Sequence, residues 1–263
     1  MSYPNVIYGD FGDEKVAQSA KIGTLPLGQL MILPDGRVFR HAQANSAAAL
    51  VAGALVGAIA GEAGHGAVSA SGLLASATTT YNTIGAITVH VACTKAVATL
   101  DQYADGFLNV QKSAGLGHVY RIKSNKSAAS TGADLEIELY PEDPLVVAWA
   151  AGSTAVSLRK SPYTDATIWS TSAAVAPPIG IVPVAVSASF FFWAQRGGVA
   201  SVRQSATAIT DGTPVVCSSV TSGSVMPATS AYTVANLWGS FPIGVALETA
   251  TGSDCALVDL TLE

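Results

Sequence analysis

Charge is scarce in this sequence. Asp, Glu, Lys and Arg make up 12 % of 263 residues, against about 25 % in an ordinary globular domain. The 13 basic residues form no cluster denser than Arg121, Lys123 and Lys126, and the net charge is −5. Gripping a phosphate backbone takes several convergent cations, so nucleic acid is excluded as a partner. There are three cysteines, Cys93, Cys217 and Cys255. Their wide spacing, odd number and lack of a CxxC pair exclude a zinc site and a disulfide framework. They are expected to be small buried apolar residues. No apolar run reaches the roughly 20 residues a membrane span needs; the uncharged Ala/Gly-rich run 47–61 is too short. The N-terminus has neither a basic region nor an early apolar core. No signal peptide is visible, and a protein made and kept in a cytoplasm is expected.

Apolar and small residues are abundant. Hydrophobic residues reach 49 % and the mean hydropathy is +0.41. A chain so poor in charge cannot cover itself with ionic groups, so part of its surface is expected to be buried against partners. Periodicity predicts a mainly β fold with four regions. Residues 1–43 form an extended polar arm followed by a β-hairpin, whose turn is Pro34-Asp35-Gly36-Arg37. Residues 44–160 hold a short Ala/Gly-rich helix and an antiparallel β-domain. In the helix, Gly53, Gly57 and Gly61 recur every four residues and form a smooth stripe for close packing. An irregular loop and membrane insertion are the alternatives for that segment. In the β-domain, Val89 and Val91 alternate with His90, and Leu135, Ile137 and Leu139 alternate with Glu136 and Glu138. Residues 161–178, rich in Ser, Thr, Ala and Pro, read as a linker. Residues 179–263 give short strands with Gly-rich turns, the pattern of a small β-barrel or sandwich.

Catalytic templates find no match. Gly115-Leu116-Gly117 lacks the third glycine and the βαβ setting of a dinucleotide site. Glu62 and His65 are three apart, but Gly61, Gly64 and Gly66 would break a metal-binding helix there. His41, His65, His90 and His118 are scattered, and His90 and Cys93 fall on opposite faces of one strand. Glu136 and Glu138 share a face, as a solvated strand would have it. No catalytic residue, metal or cofactor is expected, and no small-molecule substrate. The densest aromatic cluster is Phe190–Trp193. Alternation sends Phe190 and Phe192 to one face and Phe191 and Trp193 to the other, so a core fills one face and a second layer or partner covers the other.

Several segments carry a resemblance. They are Gly9-Asp10-Phe11-Gly12-Asp13-Glu14-Lys15, Leu33–Ala42, Tyr103-Ala104-Asp105-Gly106 and Tyr120–Ser124. With them go Gly180–Val184, Phe191–Ala200, Asp211–Val216 and Pro242–Leu247. Together these resemble virion structural proteins of tailed phages infecting aquatic bacteria, and the C-terminal unit is similar to small β-barrel head decoration, or cement, proteins. The resemblance implies a homotrimer on the capsid surface, assembled in the host cytoplasm, that joins neighbouring copies of the major capsid protein. Tyr3, Tyr8 and Phe11 of the arm, the Gly53, Gly57 and Gly61 stripe, and Phe191 with Trp193 are the candidate interface residues. The arm is expected to reach a neighbour or the capsid protein by adding a strand to a sheet edge. The alternative is a head fibre, tail or baseplate protein, with Tyr163, Trp169 and Tyr232 available to stack on host glycans.

Overall fold

The computed structural model describes residues 6–59, 61, 65, 73–75, 81–93, 97–129, 133–171, 177–228, 242–252 and 254–263. Among these residues the chain is almost entirely β, as expected, and the one helical element is a three-residue 3-10 turn, Asp13–Lys15. The chain forms two compact units: Met1–Ala60 with Pro162–Glu263, and Gly61–Ser161 inserted between them.

The first unit is one eleven-stranded sheet. Its strands are β1 (Val6–Tyr8), β2 (Leu30–Ile32), β3 (Val38–Gln43) and β4 (Leu55–Gly57), then β11 (Thr167–Ile168), β12 (Pro178–Ile181), β13 (Phe191–Arg203), β14 (Pro214–Cys217), β15 (Val225–Pro227), β16 (Pro242–Ala246) and β17 (Cys255–Thr261). The main path runs β1-β2-β3-β13-β17-β16-β14-β15, while β4 joins through β12 and β11. Strand β13 is the spine: its first half pairs with β3 and its second half with β17. Strand β17 alternates without a break. Ala256, Val258 and Leu260 enter a core with Val202, Val215 and Ile243, and Cys255, Leu257, Asp259 and Thr261 face outward. The expected β2–β3 hairpin is present. Gly36, at φ +84°, donates its N–H to Leu33 O at 2.9 Å, and the Asp35 carboxylate accepts the Arg37 N–H at 3.1 Å.

The inserted unit is a closed antiparallel barrel of six strands, ordered β10-β5-β6-β9-β8-β7. They are β5 (Leu73–Ala75), β6 (Thr88–Cys93), β7 (Phe107–Lys112), β8 (Val119–Asn125), β9 (Ala133–Leu139) and β10 (Ala155–Arg159). Val89, Val91, Leu108, Ile122, Leu135 and Ile137 fill it, each fully buried. Closure leaves no open sheet edge, and a barrel this small is filled by side chains.

Four expectations are corrected. First, the Ala/Gly-rich segment is no helix over its described residues. Leu55, Val56 and Gly57 are a buried strand, and Gly53 turns the chain at φ +73°. Glycine costs a helix roughly 1 kcal/mol per site, whereas here absent side chains permit close approach: a Cβ on Gly53 would lie 3.0 Å from Cys255 Sγ. Second, residues 6–43 are no free arm. Strand β1 pairs in parallel with β2, and Gln18 exchanges backbone hydrogen bonds of 2.9 and 2.8 Å with Phe191. The segment has an apolar reason to fold on its own unit, since Ile7 and Leu25 pack with Met31, Leu33, Phe39 and Trp193. Third, 161–178 is no linker over its described residues: Thr167–Ile168 pairs with β4, and Ala166 and Trp169 are buried. Fourth, residues 179–263 are no separate barrel, because β13 and β12 tie them to β3 and β4. The closed barrel lies in the middle of the chain.

Candidate functional site

The expected aromatic alternation on β13 is present. Phe192 packs into a core with Val56, Ile179 and Val186, and Phe190 packs against that core. Phe191 and Trp193 lie on the opposite face, where β3 places His41 opposite Trp193. The His41 ring is 5.7 Å from Phe191 and 5.2 Å from Trp193. The layer over this face is the chain's own residues 6–25. The layer is incomplete and leaves a cavity of about 280 Å³ lined by Val16, Ile22, Met31, His41, Phe191 and Trp193. Tyr8 and Phe11 do not line it; they project to solvent at 82 % and 65 % exposure. Tyr3 lies outside the described residues. The three glycines do not share a face. Gly53 is in a turn, Gly57 closes β4 opposite Thr167 and Pro178, and Gly61 belongs to the inserted unit beside Arg159.

The polar groups are arranged inside the units. His65 Nε2 lies 3.3 Å from Cys93 Sγ, and its Nδ1 is hydrogen-bonded to the Tyr103 hydroxyl. Sequence reasoning sought a partner for Cys93 within its own strand and missed this pair, because His65 comes from a segment 28 residues away and spacing carries no sign of the contact. All three side chains are buried, so they cross-link the barrel interior and offer a substrate no access. His90 bonds Asp134 through Nδ1 and stacks on Tyr81 at 4.1 Å. Cys217 is buried, and burial pushes its thiol up to about 12. Cys255, in contrast to the expectation, is exposed, since it takes an outward position of β17. Among the described residues no group of three or more His, Cys, Asp or Glu gathers to hold a metal ion. Of the aromatics considered for glycans, Trp169 is buried in the core, Tyr163 is partly buried and packs against a core, and Tyr232 lies outside the described residues.

Exposed apolar side chains are scattered over the described surface, Val97, Leu100 and Val220 among them, and two groups were not singled out by sequence reasoning. One is the outward face of the β13–β17–β16 sheet, where Val199, Val245 and Leu257 are exposed, with Leu247 just beyond β16. Register places both Val199 and Val245 opposite Asp259, and Ser201 opposite Leu257. The other is the end of the barrel formed by the loops before β6, between β7 and β8, and between β9 and β10. Ile84, Leu116, Val119 and Val146 are exposed there. Among the described residues the protein is mainly β, an open sheet and a closed barrel inserted in its sequence, with apolar side chains exposed on each. Comparison with protein-family models, with curated proteins and with solved structures finds no match for this chain.

Proposed function

We propose that this chain is a capsid decoration protein: a non-enzymatic homotrimer that binds the outside of a tailed-phage head and staples neighbouring major capsid proteins together. The single observation that carries the proposal is the exposed apolar set Val199, Val245, Leu247 and Leu257, which surrounds Asp259 on the outward face of the β13–β17–β16 sheet. The inward face of that sheet already buries a complete core, so the outward apolar groups are not needed to hold the unit together. Fully burying a Val or Leu side chain is worth roughly 1.5–3 kcal/mol. These four are already more than half covered, so docking would gain roughly 1 kcal/mol from each. Such a contact is modest in one copy and effective when repeated over a lattice by a multivalent trimer. Low charge and the burial of His65, Cys93 and Tyr103 support the same reading. Quantitative mass spectrometry of purified virions tests it. A cement protein is expected in a copy number comparable to that of the major capsid protein. A few copies per particle would instead assign the chain to a fibre, tail or baseplate.

A further inference from the structure

The cavity of about 280 Å³ in the first unit has a floor of rings and a roof of chain. On the floor, His41 and Phe191 lie nearly parallel, 24° apart at 5.7 Å, and Trp193 is 5.2 Å from His41. The roof is residues 13–25, which contribute Val16, Ile22 and Leu25 to the lining. Backbone bonds hold it in place: Gln18 exchanges two with Phe191, at 2.9 and 2.8 Å, and Leu25 N donates to Ile22 O at 2.9 Å. Between its lining residues stand Ala17, Ser19, Ala20 and Gly23, which have little side chain to fill the space. An empty volume in a packed interior forfeits dispersion contacts along its walls, and an apolar cavity of about 150 Å³ already takes up benzene. Asp13 is the one Asp, Glu, Lys or Arg among the described lining residues. It is exposed, as are Val16 at 47 % and Ile22 at 38 %, so these three mark the mouth. The Asp13 carboxylate accepts the Asp10 N–H at 3.0 Å. Of the neighbouring charges, Glu14 is buried and pairs with Arg37 at 3.3 Å, and Lys15 lies 3.9 Å from Glu14. Lys21 precedes Ile22 in the sequence but does not line the cavity.

We propose that this cavity binds a small arylalkylammonium ion, with its ring among Met31, Phe191 and Trp193 and its ammonium at the mouth beside Asp13. The site does not depend on the decoration-protein reading. Aromatic faces carry negative potential and attract a cation within about 6 Å, and a carboxylate at the mouth adds attraction of the same sign. An anionic ligand would bring like charge to Asp13 and find no Lys or Arg in the lining to meet it. A neutral hydrocarbon would fill the space and make no use of Asp13. The volume is roughly twice the benzene-sized cavity, which leaves room for one ring and a short chain.

The test follows the methionine methyl signals of the full chain by carbon NMR at neutral pH. Met31 lines the cavity, whereas Met226 lies on β15 beside Ser219 and serves as the internal control. Three probes of matched shape are titrated: phenethylammonium, 2-phenylethanol and 3-phenylpropanoate. Phenethylammonium is expected to shift the Met31 signal saturably and leave Met226 in place, with the alcohol weaker and the carboxylate weakest. Asp13→Asn keeps an amide oxygen for the Asp10 N–H. It is expected to weaken phenethylammonium about three- to fivefold, the worth of an exposed charge pair, and to leave the alcohol unchanged. Ile22→Trp, which plugs the mouth, is expected to abolish binding of all three. Val16→Trp is a second plug at a more exposed site, used if Ile22→Trp lowers the melting temperature. An unmoved Met31 signal, or binding that persists in a folded plugged variant, would overturn the proposal. Equal affinity of phenethylammonium for wild type and Asp13→Asn, or tighter binding of 3-phenylpropanoate, would overturn the assignment to a cation.

Discussion

Glu138 projects from β9 and accepts hydrogen bonds from Lys123 Nζ at 2.6 Å and Ser124 Oγ at 2.8 Å. These bonds, the Lys123 bond first, hold its carboxyl below the ordinary carboxylate range. The ionised group is therefore favoured in the folded barrel. Its stabilising contribution is present above the unfolded carboxylate value and is lost as pH falls through the lower folded value. Lys123→Gln is expected to raise the Glu138 titration midpoint, followed by carbon NMR, toward the ordinary value. Because Glu138 is about a third exposed, the cost at neutral pH should stay below about 1 kcal/mol. An unmoved midpoint would show that Lys123 is not the cause. At this scale the sequence was a fair guide where alternation applied: Val89, Val91, Leu135 and Ile137 are all buried. It misjudged Cys255, whose burial depends on which face of β17 meets the core, and that is set by the pairing of β17 with β13.

Elements defined by local chemistry were legible, and those defined by remote pairing were not. The β2–β3 hairpin could be read because Pro-Asp-Gly encodes its own turn. The Ala/Gly-rich segment could not, since its strand exists only through β12 and β11, more than 100 residues later. Its glycine spacing was helical by coincidence; the glycines serve a turn, a strand end and a second unit. A different glycine shows what the sheet does require. A Cβ on Gly244 in β16 would lie 1.9 Å from the carbonyl oxygen of Asp259 in β17. Neither strand can yield without breaking the pairing of Val245 with Asp259. Gly244→Ala is therefore expected to destabilise the first unit by at least the roughly 1–3 kcal/mol of an overpacked core. Denaturant unfolding followed by Trp fluorescence would read this out, and wild-type stability would show that the two strands can separate.

For the whole molecule, the sequence conveyed class and not architecture. Mainly β was legible from the short alternating runs. The insertion of a closed barrel at Gly61–Ser161 within a sheet shared by both chain termini was not, because β3 and β13 lie about 150 residues apart and leave no local mark of their pairing. The proposed interface moved for the same reason. Phe191 and Trp193 face residues 6–25 of the chain itself, whereas Val199, Val245, Leu247 and Leu257 are exposed on the outer sheet face. That outer sheet face is the surface proposed for the shell. Co-sedimentation with tailed-phage heads that lack a decoration protein tests the central proposal most directly. Wild-type protein should pellet with the heads, and Val199→Asp/Leu257→Asp, folded and at wild-type oligomeric mass, should stay in the supernatant. Equal pelleting of both proteins, or of neither, would contradict the account.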